Sequence, residues 1–520
     1  MKLVLISVFS LLAACSTMKN RELHDTLVKN AAEKKYPAAA ATAAREDFYP
    51  EERSALLRRL ERASAYYYNG ELYRSLLEFD AAKGLSDELY TKSISAKLAS
   101  ALDSNKAEFY GERYERSNIR FWQALLHLRL AAAGKYEAWR GEDGAERPEK
   151  ILSPQEKRQH LLAARSVMQE WESIFPQFEL ETEGKPGYKA DMMSHLLGAA
   201  IHEQTGAPAD RQIALGLYRR AKEVAFRNYN VYPSFNKKHK EFADGFGTFH
   251  AMERREVEQK YVEQSADGKE LTHYIDRKIG LLEKNRPDNL VVIVKDGLVA
   301  EKKSREYKLD FRPDEMARLA YLSAYISAAS GGSGRAVSNA AFISFATTYL
   351  LKDITYDMPY IEYRAPRELA ASIAGADGKR VPVPLALASP LSDIAYKEIN
   401  DKIPAERAVL AARLTAEYIA AAATAYFSYA NMKKSAGNSP WGELAGIAAG
   451  VGAFKGLSAA INASNKADLR QWKLLPSDIR IGGASLAPGD YTLEITEGGK
   501  VVARESVKVG EGASIADITL

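Results

Sequence analysis

Few residues of this chain stand at spacings suited to chemistry. Of its eight histidines only His195 and His202 are close, seven positions apart and so on one face of a helix. A metal would need a third ligand. Glu203 points about 100° away, and two histidines four apart around a glutamate are absent. A packing or helix-surface role is therefore expected, and no metal. No serine sits in a nucleophile-elbow sequence. Carboxylate pairs such as Glu51 with Glu52, or Glu253 with Glu256, are common on solvated helices and identify no acid and base without geometry. Gly331-Gly332-Ser333-Gly334-Arg335 has the glycines of a phosphate loop but neither the dinucleotide fingerprint nor the P-loop lysine. The aromatic set Tyr66, Tyr67, Tyr68, Tyr73, Tyr110, Tyr114, Phe121 and Trp122 either lines a groove that stacks on sugar rings or peptide side chains, or packs a helical core.

The one cysteine, Cys15, follows Leu12-Ala13-Ala14 at the end of a short apolar run that opens with Met1-Lys2. One basic residue, a greasy stretch well short of the roughly 20 residues of a membrane span, and small residues before a cleavage point make a secretory signal. Leu-Ala-Ala-Cys resembles the lipobox of bacterial lipoproteins, which implies a diacylglyceryl group on the thiol and a third acyl chain on the new amino terminus. Three chains make an effectively permanent anchor. Ser16, where an aspartate would favour inner-membrane retention in such lipoproteins, implies the outer membrane, on its periplasmic side. With Cys15 acylated, no thiol remains for disulfides, catalysis or metal, and no cofactor is expected beyond the covalent lipid. The formal charge of +4, from 72 basic and 68 acidic residues, gives no field that argues for nucleic acid. The run Asn236-Lys237-Lys238-His239-Lys240 reads as a solvated loop or helix end.

From Glu51 onward apolar residues fall at helical spacing. Leu56, Leu57, Leu60, Ala63 and Tyr67 precede Asn69-Gly70, and Leu72, Leu76, Phe79 and Ala82 follow it, predicting a helical hairpin. Ser75, Phe79 and Ala82 stand at the small, aromatic and small spacings of a tetratricopeptide repeat, which the local pattern resembles; Arg59 and Arg62 stand where that repeat prefers bulky apolar residues. Phe121–Leu130 with Gly134-Lys135-Tyr136, and Leu196–Ile201 with Gly206 then Ala214, Tyr218 and Ala221, echo it. The reading is an irregular helical-hairpin solenoid whose stacked pairs offer a concave face to a protein partner.

At Asn289 the period changes. Strands are predicted at Leu290–Val294 before a Lys295-Asp296-Gly297 turn, and around 305–311, 356–363 and 379–387. An alanine-rich helix over 405–432 and a second helix follow. Gly442, Gly446 and Gly450 at four-residue steps on the second let the two backbones approach. Glu443 and Lys455, with Arg413 and Glu417, argue against membrane insertion and for a soluble hairpin. The tail alternates in four strands, Ile479–Leu486, Tyr491–Thr496, Val501–Val509 and Ser514–Leu520, as a small antiparallel β-domain.

Across Phe109–Glu115 with Phe121–Leu130, Lys295–Lys302, Ala467–Trp472 with Leu475-Pro476, and Ala487–Tyr491, the chain resembles a family of Gram-negative outer-membrane lipoproteins with a tetratricopeptide-repeat-like N-terminal half and no established activity. The resemblance implies an α+β, mainly α protein and carries no catalytic residues. The expected organisation is a signal peptide (1–14), lipidated Cys15 and tether (15–50), helical domain (51–285), mixed β region (286–400), Ala/Gly-rich hairpin (401–470) and small β-domain (471–520). The expected function is a non-enzymatic envelope scaffold that binds a protein partner, with oligomer formation open. The alternative is a peptidoglycan- or glycan-binding accessory using Tyr66, Tyr67, Tyr73, Tyr110, Tyr114 and Trp122.

Overall fold

The computed structural model describes residues 21–96, 108–141, 144–182, 188–205, 207–236, 259, 262–309, 311, 346–351, 354–376, 378–437, 439–510 and 514–520. Cys15, Gly206, the run Lys237–Lys240, Glu253 with Glu256, and Gly331–Arg335 lie outside them. The protein is α+β and mainly helical.

Helices dominate the N-terminal half of the described residues, among them α1 (21–32), α2 (Tyr36–Ala43), α3 (Ala55–Tyr68), α4 (Leu72–Ala96), α5 (Arg113–Ala133), α6 (Pro154–Ser173), α7 (Phe175–Thr182), α8 (Met192–Thr205), α9 (Pro208–Asn228) and α10 (Ala266–Glu283). They pack largely on chain neighbours: α3 on α4, α4 on α5, α5 on α6, α8 on α9 and α9 on α10. The first hairpin turns at Gly70, whose φ of +82° a side chain would strain. Ser75 is buried and donates to the Ala63 carbonyl at 2.7 Å, so its small side chain allows a close crossing. Arg59 and Arg62 reach Glu78 at 3.0 and 3.4 Å, an ion-paired substitute for apolar residues at those positions. The second hairpin departs from expectation. Gly134 ends α5 in the left-handed region, but two short ribbons, β1 (Lys135–Tyr136) with β4 (Lys150–Ile151) and β2 (Trp139–Arg140) with β3 (Glu146–Arg147), intervene before α6. In the third, Ala214, Tyr218 and Ala221 are all buried on α9.

The β strands form two four-stranded sheets packed face to face. One has the order β10 (Leu385–Ser389), β11 (Asp478–Ala484), β5 (Leu290–Asp296), β14 (Ser514–Thr519), antiparallel except that β14 runs parallel to β5. The other is the antiparallel order β13 (Lys500–Val509), β12 (Gly489–Glu497), β8 (Leu369–Ala374), β9 (Arg380–Val383). Leu290, Val292 and Val294 face the second sheet, among Ile373, Leu493 and Ile495. Val291 and Ile293 face the helices. Burial on both faces is why β5 reads as an unbroken apolar run. That run continues through Lys295 and Asp296, both buried, so the turn comes only at Gly297.

The expected small β-domain is therefore corrected. The β12–β13 hairpin exists, but β12 pairs with β8 and β11 and β14 flank β5, so regions 286–400 and 471–520 share both sheets. The strand expected over 379–387 splits at Pro384, with β9 in one sheet and β10 in the other. Gly482 is required beside this switch, since a Cβ there would lie 2.6 Å from the Pro384 carbonyl oxygen.

Between β10 and β11 the chain leaves the sandwich through α11 (Leu391–Asn400), α12 (Ile403–Ser435) and α13 (Pro440–Ser464). A third core joins the base of this hairpin to the antiparallel pair β6 (Lys302–Lys308) and β7 (Thr355–Ile361). A Cβ at Gly446 would sit 2.9 Å from the Tyr429 carbonyl oxygen of α12, and Gly442 and Gly450 are buried too, so the predicted close approach of these helices exists. At Gly442 the neighbour a Cβ would strike is Gly437 of the turn rather than α12.

Candidate functional site at the joint of two cores

Of the two readings of the aromatic set, the packed core is what the fold builds: the candidate groove is filled by the protein's own chain. The segment 470–475, returning from α13 to β11, crosses the helices. Trp472 is fully buried near Phe79, at 5.7 Å between ring centroids, and its indole donates to Ser64 at 2.9 Å. Glu61 of α3, also fully buried, accepts the backbone N–H of Lys473 at 2.7 Å and of Leu474 at 3.2 Å. Tyr67 and Trp122 do meet, edge to face at 4.6 Å, but both are buried beneath Lys295. The Lys295 ammonium donates to Tyr67 Oη at 2.9 Å and contacts Asp517 of the last strand, which Arg129 also contacts. Tyr66 is buried under the Arg74 guanidinium, Tyr73 stacks on Tyr136 at 3.8 Å, and Tyr114 is buried against Gln471. Of the six candidate groove residues, Tyr110 alone is substantially exposed, at 44 %. The physical reason is that this aromatic face is the surface on which the sandwich and the returning segment pack.

His195 and His202 do not converge on a ligand. His195 lies 3.2 Å from Glu172, and His202 lies 2.7 Å from Asp210, so each has its own carboxylate. Among the described residues no group of three or more His, Cys, Asp or Glu side chains is placed to hold a metal. A closer histidine pair escaped sequence reading because 33 positions separate its members: His127 and His160 share a hydrogen bond at 2.8 Å, and Tyr136 Oη lies 2.9 Å from His160. Burial first, and then His160, push His127 down to about 4.

What the fold does assemble is a cavity of about 550 Å³ where the helical half, the β6–β7 pair and the α12–α13 hairpin meet. Its floor is a charge network. Glu112 caps α5 reciprocally with Glu115 and accepts from Lys302 and Lys402, both at 2.9 Å. Lys402 also reaches Glu398 at 3.1 Å, which holds Arg113 through two bonds of 2.6 and 2.7 Å. Burial pushes the Glu112 carboxyl up, but Lys302 and Lys402 outweigh it and hold Glu112 well below the usual carboxylate range. Glu115, in contrast, is pushed up to about 7 by burial. Two carboxylates pushed apart in this way suggest an acid and base pair. Here, however, both Glu115 oxygens are occupied, accepting the backbone N–H groups of Glu112 at 2.6 Å and Trp472 at 2.7 Å.

Above that floor the lining changes character. Tyr110, Met358, Ile399, Val409 and Leu410 supply apolar surface. Lys302, Lys402, Arg413 and Arg470 are each committed to a protein acceptor. Glu108, Asp357 and Glu406 also line the cavity, and none has an ion-pair or side-chain hydrogen-bond partner among the described residues. Partial desolvation raises the Glu406 carboxyl above its ordinary range, against the opposing pull of Lys402. The arrangement suits a ligand with an apolar body and a positive group, for which uncommitted carboxylates beside apolar walls provide both contacts.

Sequence reasoning did not single out this cavity, yet its signal was present. Three segments quoted for the lipoprotein resemblance, Phe109–Glu115, Lys295–Lys302 and Ala467–Trp472, converge here: Lys302 N–H donates to Gln471 at 2.8 Å while its ammonium reaches Glu112. No family model matches the chain, and no curated protein or solved structure matches it.

Proposed function

We propose that the chain is a non-enzymatic, lipid-anchored protein of the cell envelope, held by acylated Cys15 at the periplasmic face of the outer membrane. In this reading it binds a protein partner. The helical half is an irregular tetratricopeptide-like solenoid whose aromatic face serves as internal scaffold, so the docking place moves from that face to the joint cavity. The partner presents a lysine or arginine side chain, whose aliphatic stem lies along Val409 and Leu410 and whose charge meets Glu406, Asp357 and Glu108. The observation that carries this reading is the contrast within one lining: every cation named above is already paired, while three carboxylates have no ion-pair or side-chain hydrogen-bond partner among the described residues.

The test is in-cell crosslinking from a photoreactive residue at Val409 or Tyr110, exposed by 65 % and 44 %. One envelope protein should be captured reproducibly. Capture should fall at least tenfold in a Glu406→Lys, Asp357→Lys chain and in the mislocalised Cys15→Ala chain. Recovery of wall fragments in place of a protein, or capture indifferent to the two charge reversals, would defeat the reading.

A further inference from the structure

The free end of the α12–α13 hairpin does not resemble the surface of the rest of the protein. From Tyr418 to Phe454, 37 residues, there are three charged side chains, Lys433, Lys434 and Glu443, where a chain with 27 % charged residues would place about ten. Burial accounts for only part of this. The base of α12 packs into the third core as far as Ala425, and beyond Ala425 no described residue of α12 is buried. On α13 the buried positions Gly442, Gly446, Gly450 and Phe454 form one stripe. The outer positions are left bare: Trp441 is 80 % exposed, Leu444 59 %, Met432 44 % and Phe427 39 %. The stretches Leu391–Ser435 and Pro440–Asn462 are apolar and long enough for a membrane, yet only 39 % and 17 % of their apolar windows are buried inside the protein.

We infer that this hairpin end is a membrane-contacting tip that seats on an anionic lipid surface. Three observations select lipid over a second copy or a protein groove. First, the exposed set at the turn combines a tryptophan, branched and thioether side chains and lysine, the composition that partitions into the headgroup region. Second, the charge at the tip is positive. The lone acid, Glu443, is neutralised by Lys433 and by a 2.6 Å hydrogen bond from Tyr429, while Lys434 is exposed without a partner among the described residues. Third, the dimensions fit an interface and not a span. The ten residues of α12 beyond Ala425 measure about 15 Å, half the roughly 30 Å of a hydrocarbon core, whereas interfacial helices sink about 5–10 Å. The body of the protein, packed on the hairpin base, then stands above the surface. This inference does not depend on the cavity.

Trp441 makes the test direct. Of the five tryptophans, Trp122, Trp171 and Trp472 are fully buried and Trp139 is half-buried. The full chain carrying Cys15→Ser, which removes acylation, is mixed with phosphatidylglycerol vesicles whose acyl chains carry bromine. A derivative with Met432→Glu and Leu444→Glu shares its N-terminus, so any membrane affinity of that segment cancels. The Cys15→Ser chain should show tryptophan quenching by the bromines, and Trp441→Phe should abolish most of it. The double glutamate chain should bind at least tenfold more weakly, and replacing phosphatidylglycerol by phosphatidylcholine should weaken binding of the parent. All three chains should melt at the same temperature. Quenching that survives Trp441→Phe, or equal binding by the glutamate derivative, would overturn the inference. So would concentration-dependent self-association that those glutamates abolish in the absence of vesicles, since it would assign the tip to a second copy.

Discussion

Two carboxylates beneath the sandwich edge show how burial sets chemistry residue by residue. Asp393 of α11 and Asp478 of β11 are essentially inaccessible to solvent, and each has one oxygen without a hydrogen-bond partner. The other oxygen of Asp393 accepts the Ser234 N–H at 2.7 Å, and that of Asp478 accepts from the Ser477 hydroxyl at 3.0 Å. Burial pushes Asp393 up to about 7 and Asp478 up to about 8. Arg480 opposes the rise at Asp478, while Asp267 adds to it at Asp393. Both folded values lie above the roughly 3.9 of an unfolded aspartate, so the folded state binds more protons between these limits and stability falls as pH rises from about 4 to 8. The melting temperature should decline from pH 5.5 to 8.5, and Asp393→Asn should flatten the decline. At pH 8.5 that variant should be more stable than the parent by on the order of 2 kcal/mol, since no buried charge remains to be ionised. A denaturant titration at the two pH values checks it; equal slopes in parent and variant would remove Asp393 as the titrating group. None of this was legible in the sequence, where Asp393 and Asp478 look like ordinary surface acids.

At the scale of elements, small residues have opposite consequences depending on what faces them. Gly446 lies against the α12 backbone at Tyr429, whereas Gly452, six residues further along α13 and on another face, has nothing within 4 Å of where a Cβ would be. Gly446→Ala should therefore separate the helices and destabilise the hairpin by about 1–3 kcal/mol. Gly452→Ala should stabilise it by about 0.5–1 kcal/mol through helix propensity alone. Hydrogen exchange of α12 and α13 amides separates the two, with faster exchange in the first and slower in the second; the same sign in both would show that the glycines do not set the helix spacing. The four-residue glycine interval was readable because helical periodicity fixes which residues share a face. The β1–β4 ribbons between α5 and α6 were not, since strands of two residues leave no periodic trace. β8 escaped as well: Leu369-Ala370-Ala371-Ser372-Ile373-Ala374 is small and bland, and its strand conformation is set by pairing with β12 and β9.

For the whole molecule, the last strand is a closing element. β14 runs beside β5, puts Ala516 and Ile518 into the sandwich core, and brings Asp517 to Lys295 beneath the helices. A chain ending at Glu511 loses a strand and two core side chains, and it leaves Lys295 buried without its carboxylate. Breaking a buried pair by removing one partner costs about 3–5 kcal/mol by itself. Such a chain should lose its cooperative thermal transition, and limited proteolysis should cut both the helical and the sandwich halves. Retention of a resistant fragment covering residues 51–285 would show that the helical half folds alone. The same interdependence explains the displaced domain boundaries. A fragment of residues 471–520 should not fold, because β11 and β14 complete a sheet whose centre is β5.

The sequence by itself determined the apolar N-terminus ending at a single cysteine, the paired helices from 51 onward, the long Ala/Gly-rich hairpin and the strand positions of the tail. These follow from local chemistry and from period, which depend on near neighbours alone. The tertiary structure decided which strands share a sheet, that Trp472 and its neighbours fill the aromatic face, and that Glu112, Lys302, Lys402 and Glu398 meet at one joint. Those facts rest on contacts between residues tens to hundreds of positions apart. Strand pairing and charge pairing at such separations are chosen by the global packing of the cores, for which no short-range pattern exists to be read.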